Sequence, residues 1–196
     1  MALANGPLFE PGEGWSYSNI GYMFARELIE DATGKPLGTV ISDLITRPLG
    51  LTSIALSETR QHFAQLHWDA AANYDPRWVY HGCLTGTAPD AARLLRALFE
   101  GELLRASTLD QMLNARSLGG PIAGRPWMQC GYALGLMSGV MQRTGAAIGH
   151  SGAGPFSVNA VYYFPEISDP ITVACFTNGT NEGVAEFEAA RLAQCR

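Results

Sequence analysis

Lysine is nearly absent. The 196 residues contain one, Lys35, and the remaining basic residues are arginines spread along the chain. Formal net charge is −5, with no run of either sign. A protein that grips phosphate backbones needs a basic footprint, and none exists, so nucleic acid is excluded as a partner. Long apolar runs are missing as well. None approaches the ~18 residues that would suggest a membrane-spanning helix. The opening MALANGP is too short and uncharged to read as a secretory signal, so nothing here selects between a bacterial periplasmic and a cytoplasmic setting. There is no CxxC pair. Cys83, Cys130, Cys175 and Cys195 lie far apart, mostly in apolar or helical surroundings, and read as buried free thiols. The four histidines show no metal-ligand spacing, and His81 with Cys83 could hold zinc only with distant partners. No metal or cofactor is expected.

What is present suits a globular chain: 47% hydrophobic and 16% charged residues, long enough to bury a core. In SNIGYMFARELIEDATGK, Ile20, Met23, Phe24 and Leu28 mark one face of a helix that Ser18 or Asn19 can cap and Gly34 can end. A second helix starts at Pro36 and carries Leu37, Val40, Ile41, Leu44 and Ile45 until Pro48 and Gly50 stop it. Residues 52–86 read as a loop-rich excursion. Thr87 with Asp90 three positions on predicts a capped helix whose Leu94, Leu95, Leu98 and Phe99 face the core, and a shorter helix follows over 107–114. Past Gly131, glycine-punctuated segments predict a meander. SVNAVYYFP and ITVACFTN predict two antiparallel neighbours joined by a turn at EISDP. The tail from Asn181 to Gln194 predicts an amphipathic helix with its apolar side at Val184, Phe187 and Arg191/Leu192.

The fold class expected is therefore α+β: an antiparallel sheet with flanking helices plus a helical lobe. The expected division is a mainly helical lobe over 1–128 and a sheet with its C-terminal helix over 129–196.

AIGHSGAGPF, residues 147–156, places a serine between glycines beside a histidine. One reading is the nucleophile elbow of an α/β-hydrolase, G-x-S-x-G, with Ser151 attacking. That elbow needs a helix behind the serine and a histidine later in the chain. Here a strand pattern follows, position 153 is Ala, and no histidine follows His150. A serine on a strand edge, facing a site built by other segments, fits better.

PGEGWSYSNIGYMFARELIEDATGKPL, with Tyr17-Ser18-Asn19 just before a helix, resembles the Tyr-x-Asn motif region of the serine β-lactamase-like family. That family takes in class C β-lactamases, D-Ala-D-Ala carboxypeptidases and esterases. GHSGAGPF resembles its third motif, Lys-Thr-Gly or His-Ser/Thr-Gly, and GCLTGTAPDAARLLRALFEG resembles a segment between them. The two motifs stand about 130 residues apart in the expected order, and the resemblance runs from Phe9 to the C-terminus. It implies a partial β-lactamase/transpeptidase-like fold and acyl transfer through a serine ester on a β-lactam, a D-Ala-D-Ala peptide or a small ester. It also implies roles. Tyr17 would be a proton shuttle, lowered in pKa by neighbouring cations. His150 would take the cation position of the third motif, with a pH-dependent charge. Asn19 would donate to the substrate amide, Ser151 and Gly152 would line the edge where substrate lies, and the Ala153 N–H would be half of an oxyanion hole.

The family's first motif, Ser-x-x-Lys, occurs nowhere in the sequence: position 32, three before Lys35, is Ala. In the family it lies upstream of Tyr-x-Asn, and 16 residues precede Tyr17 here. The expectation is a C-terminal part of such a hydrolase, catalytically incomplete as given. The alternative is a non-catalytic relative whose cleft binds a peptide or acyl ligand, or whose edge strand binds a partner. In the family the last strand pairs with the first, so the 170–178 strand is expected to be an open edge. Another copy or a complementing N-terminal segment would cover it.

Overall fold

The computed structural model describes residues 6–195. Helix α1 spans Asn19–Thr33. Ser18 caps it, its Oγ accepting from the Gly21 N–H at 3.0 Å, and Gly34 ends it in the left-handed region. Asn19 is thus freed from capping. The apolar stripe forms as the spacing predicts, but none of its residues is fully buried, and Leu28 is 69% exposed. Helix α2, Leu37–Ile41, continues through a π-helical turn at Ser42–Thr46.

The excursion that follows carries two-residue strands β1 (Ala55–Leu56) and β2 (Leu84–Thr85), paired with each other, and the single turn α3 (Arg60–Phe63). Helix α4 (Ala88–Phe99) starts at Thr87, but the capping box expected there does not form: the Thr87 side chain makes no cap bond. Asp90 instead accepts from the backbone N–H and the Oγ of Ser53, at 2.9 and 2.6 Å, and the Thr87 N–H donates to that same Oγ. Ser53 brings two donors to one carboxylate, and they displace the local cap. Helix α5 covers Ala106–Leu113.

The rest is a meander. Strands β3 (Arg116–Gly119), β4 (Trp127–Tyr132), β5 (Met137–Met141), β6 (Gly145–Ala153), β7 (Ser157–Phe164) and β8 (Ile171–Asn178) form one antiparallel sheet in chain order. The period-2 pattern of β7 explains its two faces. Val158, Ala160, Tyr162 and Phe164 are buried on one face with Trp127, Met141 and Val173. Val161 and Tyr163 pack on the other with Leu95, Leu98 and Leu136, and Phe99 stacks on Tyr163 at 4.2 Å. β8 pairs with β7 alone and ends the sheet as an eight-residue edge with no charged residue and no proline.

Helix α6 (Glu182–Ala193) closes the first face, and it turns differently from the sequence expectation. Val184, Phe187 and Leu192 are exposed, while Ala185, Ala189, Ala190 and Ala193 are buried with Glu186. Small side chains let the helix lie close against the sheet, and that proximity outweighs the hydropathy of the other face. The start of α6 also packs closely on the loop between β3 and β4: a Cβ at Gly183 would stand 2.0 Å from the Gly124 carbonyl oxygen.

Candidate active site

The two motifs that lie far apart in sequence meet across one cleft of about 1600 Å³. Tyr17 and Asn19 line it from the start of α1, and residues 150–153 line it from the end of β6. The Tyr17 and His150 rings are 6.4 Å apart, centroid to centroid. Tyr17 is half exposed and also faces Tyr22 at 5.9 Å and Tyr132 at 6.2 Å.

β6 outruns its neighbour. β5 pairs with it only as far as Met137↔Gly149, whereas β7 pairs through Ala153↔Val158. Residues 150–153 therefore have one open side. The Gly154 N–H donates to the Ser157 carbonyl, towards β7. Antiparallel alternation then directs the backbone groups of Ala153 and Ser151 to the open side. That is where the sequence reading puts half of an oxyanion hole.

The Ser151 side chain turns to a part of the cleft that Arg125 and Glu182 line. It is buried, and its Oγ accepts from Arg125 Nη2 at 2.7 Å on the α6 side of the sheet. Arg125 also donates from Nε to Glu186 Oε2 at 2.6 Å and from Nη1 to Glu182 Oε2 at 2.8 Å. Glu186 is fully buried and accepts further from Trp127 Nε1 at 3.1 Å and the Tyr162 hydroxyl at 2.9 Å. A buried carboxylate is tolerated because every donor around it is aimed at it. No helix follows Ser151, since β7 does, so the elbow geometry is absent.

His150 is satisfied at both nitrogens. Nδ1 bonds the Ser151 carbonyl and Nε2 bonds the Tyr132 hydroxyl at 2.9 Å. Burial lowers its pKa from the ordinary histidine value, which favours the neutral imidazole at neutral pH at the position where the family has a cation. Tyr17 also departs from expectation. Burial, then the neighbouring Tyr22 and Glu182, push its phenol up, and no cation acts to lower it. The one lysine, Lys35, is paired with Asp43 at 2.8 Å.

Of the tryptophans, only Trp127 is fully buried. Trp15, Trp68 and Trp78 line the cleft rather than a core, and Trp78 stands 71% exposed. Among the described residues no group of three or more His, Cys, Asp or Glu is placed to hold a metal ion, and no helix is long and apolar enough to cross a membrane. Arg125, Glu182, Glu186, Tyr22 and Tyr132 escaped the sequence reading. Only Tyr22 carried a signal, being three residues after Asn19 and so on the same face of α1.

The β-lactamase family model matches residues 2–195, almost the whole chain. The chain belongs to the β-lactamase family. Esterase EstB of Burkholderia gladioli is 25% identical over 217 residues, covering 93% of this chain and 54% of the esterase. Penicillin-binding protein 4* of Bacillus subtilis is 36% identical over 72 residues, 37% of this chain and 15% of that protein. Among solved structures, a D-stereospecific amidohydrolase from Streptomyces sp. superposes with a TM-score of 0.75 at 24% identity, over 96% of this chain and 57% of that one. The octameric penicillin-binding protein homologue from Pyrococcus abyssi gives 0.71 at 20% identity, over 94% and 44%. These likenesses establish the β-lactamase/transpeptidase-like fold. The chain spans about half the length of the esterase and less of the other curated relative.

Proposed function

We propose that this chain supplies two walls of an acyl-transfer site in a β-lactamase-like serine hydrolase acting on an amide or ester bond. The nucleophile would lie on a Ser-x-x-Lys segment outside these 196 residues. Tyr17 is the proton shuttle, Asn19 and the open edge at Gly152 hold the substrate, and the Ala153 N–H is half of the oxyanion hole. His150 shapes the edge. The observation that carries this reading is the convergence of Tyr17 and His150, far apart in sequence, beside the one-sided stretch of β6.

The cleft supports the same reading. Formed small-molecule sites occupy roughly 300–1,000 Å³, and this one is larger, as a site lacking a wall would be. Burial, then Tyr22 and Glu182, raise the Tyr17 phenol; a lysine arriving from the Ser-x-x-Lys segment would lower it. The esterase among the curated relatives supports a small ester as one substrate. The β8 edge is then covered by that same segment or by a second copy.

The test is hydrolysis of a p-nitrophenyl ester by the chain joined behind a segment that carries Ser-x-x-Lys. Activity should appear, and Tyr17→Phe should lower it by about 10²–10⁴-fold. Full activity without Tyr17 would overturn the assignment. A second reading, a relative that binds acyl or peptide ligands without turnover, draws on the raised phenol of Tyr17; it predicts ligand binding but no activity in the joined protein.

A further inference from the structure

Two tyrosines that no motif marks link, through His150, the two walls of the cleft. The Tyr22 hydroxyl lies 2.8 Å from the Tyr132 hydroxyl, and the Tyr132 hydroxyl lies 2.9 Å from His150 Nε2. His150 Nδ1 completes the run on the Ser151 carbonyl. The direction of every hydrogen follows from its far end. A carbonyl only accepts, so Nδ1 carries a hydrogen. A neutral imidazole then has a bare Nε2, which must accept. Tyr132 therefore donates to His150, and its oxygen is left to accept from Tyr22.

The same run is mechanical. α1 has no buried residue, and the Tyr22–Tyr132 bond is the hydrogen bond that joins it to the six-stranded sheet among the described residues. Tyr132 is nearly buried and packed against Trp15 at 4.9 Å, so its ring is fixed while its hydroxyl reaches both neighbours.

We propose that Tyr132 is a positioning residue: its hydroxyl, reinforced by Tyr22, ties the α1 wall to the β6 wall and holds His150 in the Nδ1–H tautomer. It touches no reacting atom. It sets the distance between Tyr17 and the open strand edge, and its role in turnover rests on the acyl-transfer reading above. Because His150 is used at both nitrogens, it offers no free N–H to the cleft in this state.

The test is ¹⁵N side-chain NMR with amide hydrogen exchange on the chain itself at pH 7.5. The His150 resonances should show a protonated Nδ1 and a hydrogen-bonded, unprotonated Nε2. In Tyr132→Phe, which keeps the ring, the Nε2 resonance should move towards that of an unbonded acceptor. Amides near Tyr22 in α1 should exchange roughly 2- to 10-fold faster, the effect of one hydrogen bond. Tyr22→Phe separates the two roles: α1 exchange should rise by the same factor while Nε2 stays hydrogen-bonded. Tyr22→Phe also carries the test if Tyr132→Phe does not fold. A protonated Nε2 in the unsubstituted chain, or α1 exchange unchanged in Tyr22→Phe, would overturn the proposal. Failure of the joined protein to turn over ester would leave these signals as they are, so the two ideas fail separately.

Discussion

Replacing Arg125 with Met should show how far the sheet depends on one buried ion pair. Glu186 is fully buried and receives Arg125, Trp127 and Tyr162. Methionine fills much of the arginine's volume but leaves the carboxylate without its positive partner. Removing one member of a buried pair costs about 3–5 kcal/mol. The Trp127 and Tyr162 donors remain, so the lower end applies, about 3 kcal/mol, and the bare Ser151 hydroxyl adds to it. Against a total of roughly 5–15 kcal/mol for a domain, that is a large share. With a urea slope of about 2 kcal/mol/M, the midpoint should fall by about 1.5 M in unfolding followed by far-UV circular dichroism. Arg125→Met combined with Glu186→Leu removes both charges and should recover most of the loss, because the penalty lies in the orphaned carboxylate. A shift under about 0.3 M for the single variant, or a double variant costing the sum of two singles, would refute this view of the network.

Three further outcomes follow from the same structure. His150 titrates lower in the folded chain than in the unfolded one, so below about 6.5 the unfolded state binds more protons and stability falls with pH down through the folded value. Above about 6.5 the contribution is constant. Chemical denaturation between pH 5 and 8 should show this slope, and His150→Gln should reduce it, leaving the part from His81, which burial lowers in the same way; an unchanged slope would contradict it. Gly183→Ala should destabilise by about 1–3 kcal/mol, because its methyl group meets the Gly124 carbonyl; thermal unfolding reads it, and an unchanged midpoint would show that α6 can back away. Size-exclusion chromatography with light scattering should find the chain self-associated, given the open β8 edge and the exposed residues of the α1 stripe. A monomer would count against that.

Local chemistry makes several elements legible in the sequence. Ser18 and Gly34 bracket α1 because a cap hydroxyl and a left-handed glycine act within a few residues. β7 and β8 can be read from alternation and the turn between them. Tyr17-Ser18-Asn19 and His150-Ser151-Gly152 can be read because each is a short run with a recognisable neighbour. What stays hidden depends on partners distant in sequence. The buried face of α6 is decided by how near the sheet lies, so its alanines win over Val184 and Phe187. Asp90 leaves its cap for Ser53, 37 positions away. The charge states of Tyr17 and His150 follow from burial and from which groups stand nearby, and no tripeptide encodes either. The Arg125–Glu186 network is made of single residues with no spacing to betray them.

Whether the nucleophile lies outside these 196 residues is the point on which the functional reading turns. Intact-mass analysis after exposure to a penicillin and to a p-nitrophenyl ester tests it directly, on this chain and on the chain joined to a Ser-x-x-Lys segment. The prediction is no covalent adduct on the first and one acyl group on the second, mapped by peptide analysis to the introduced serine. An acyl group on Ser151 or Tyr17 of the chain alone would contradict it.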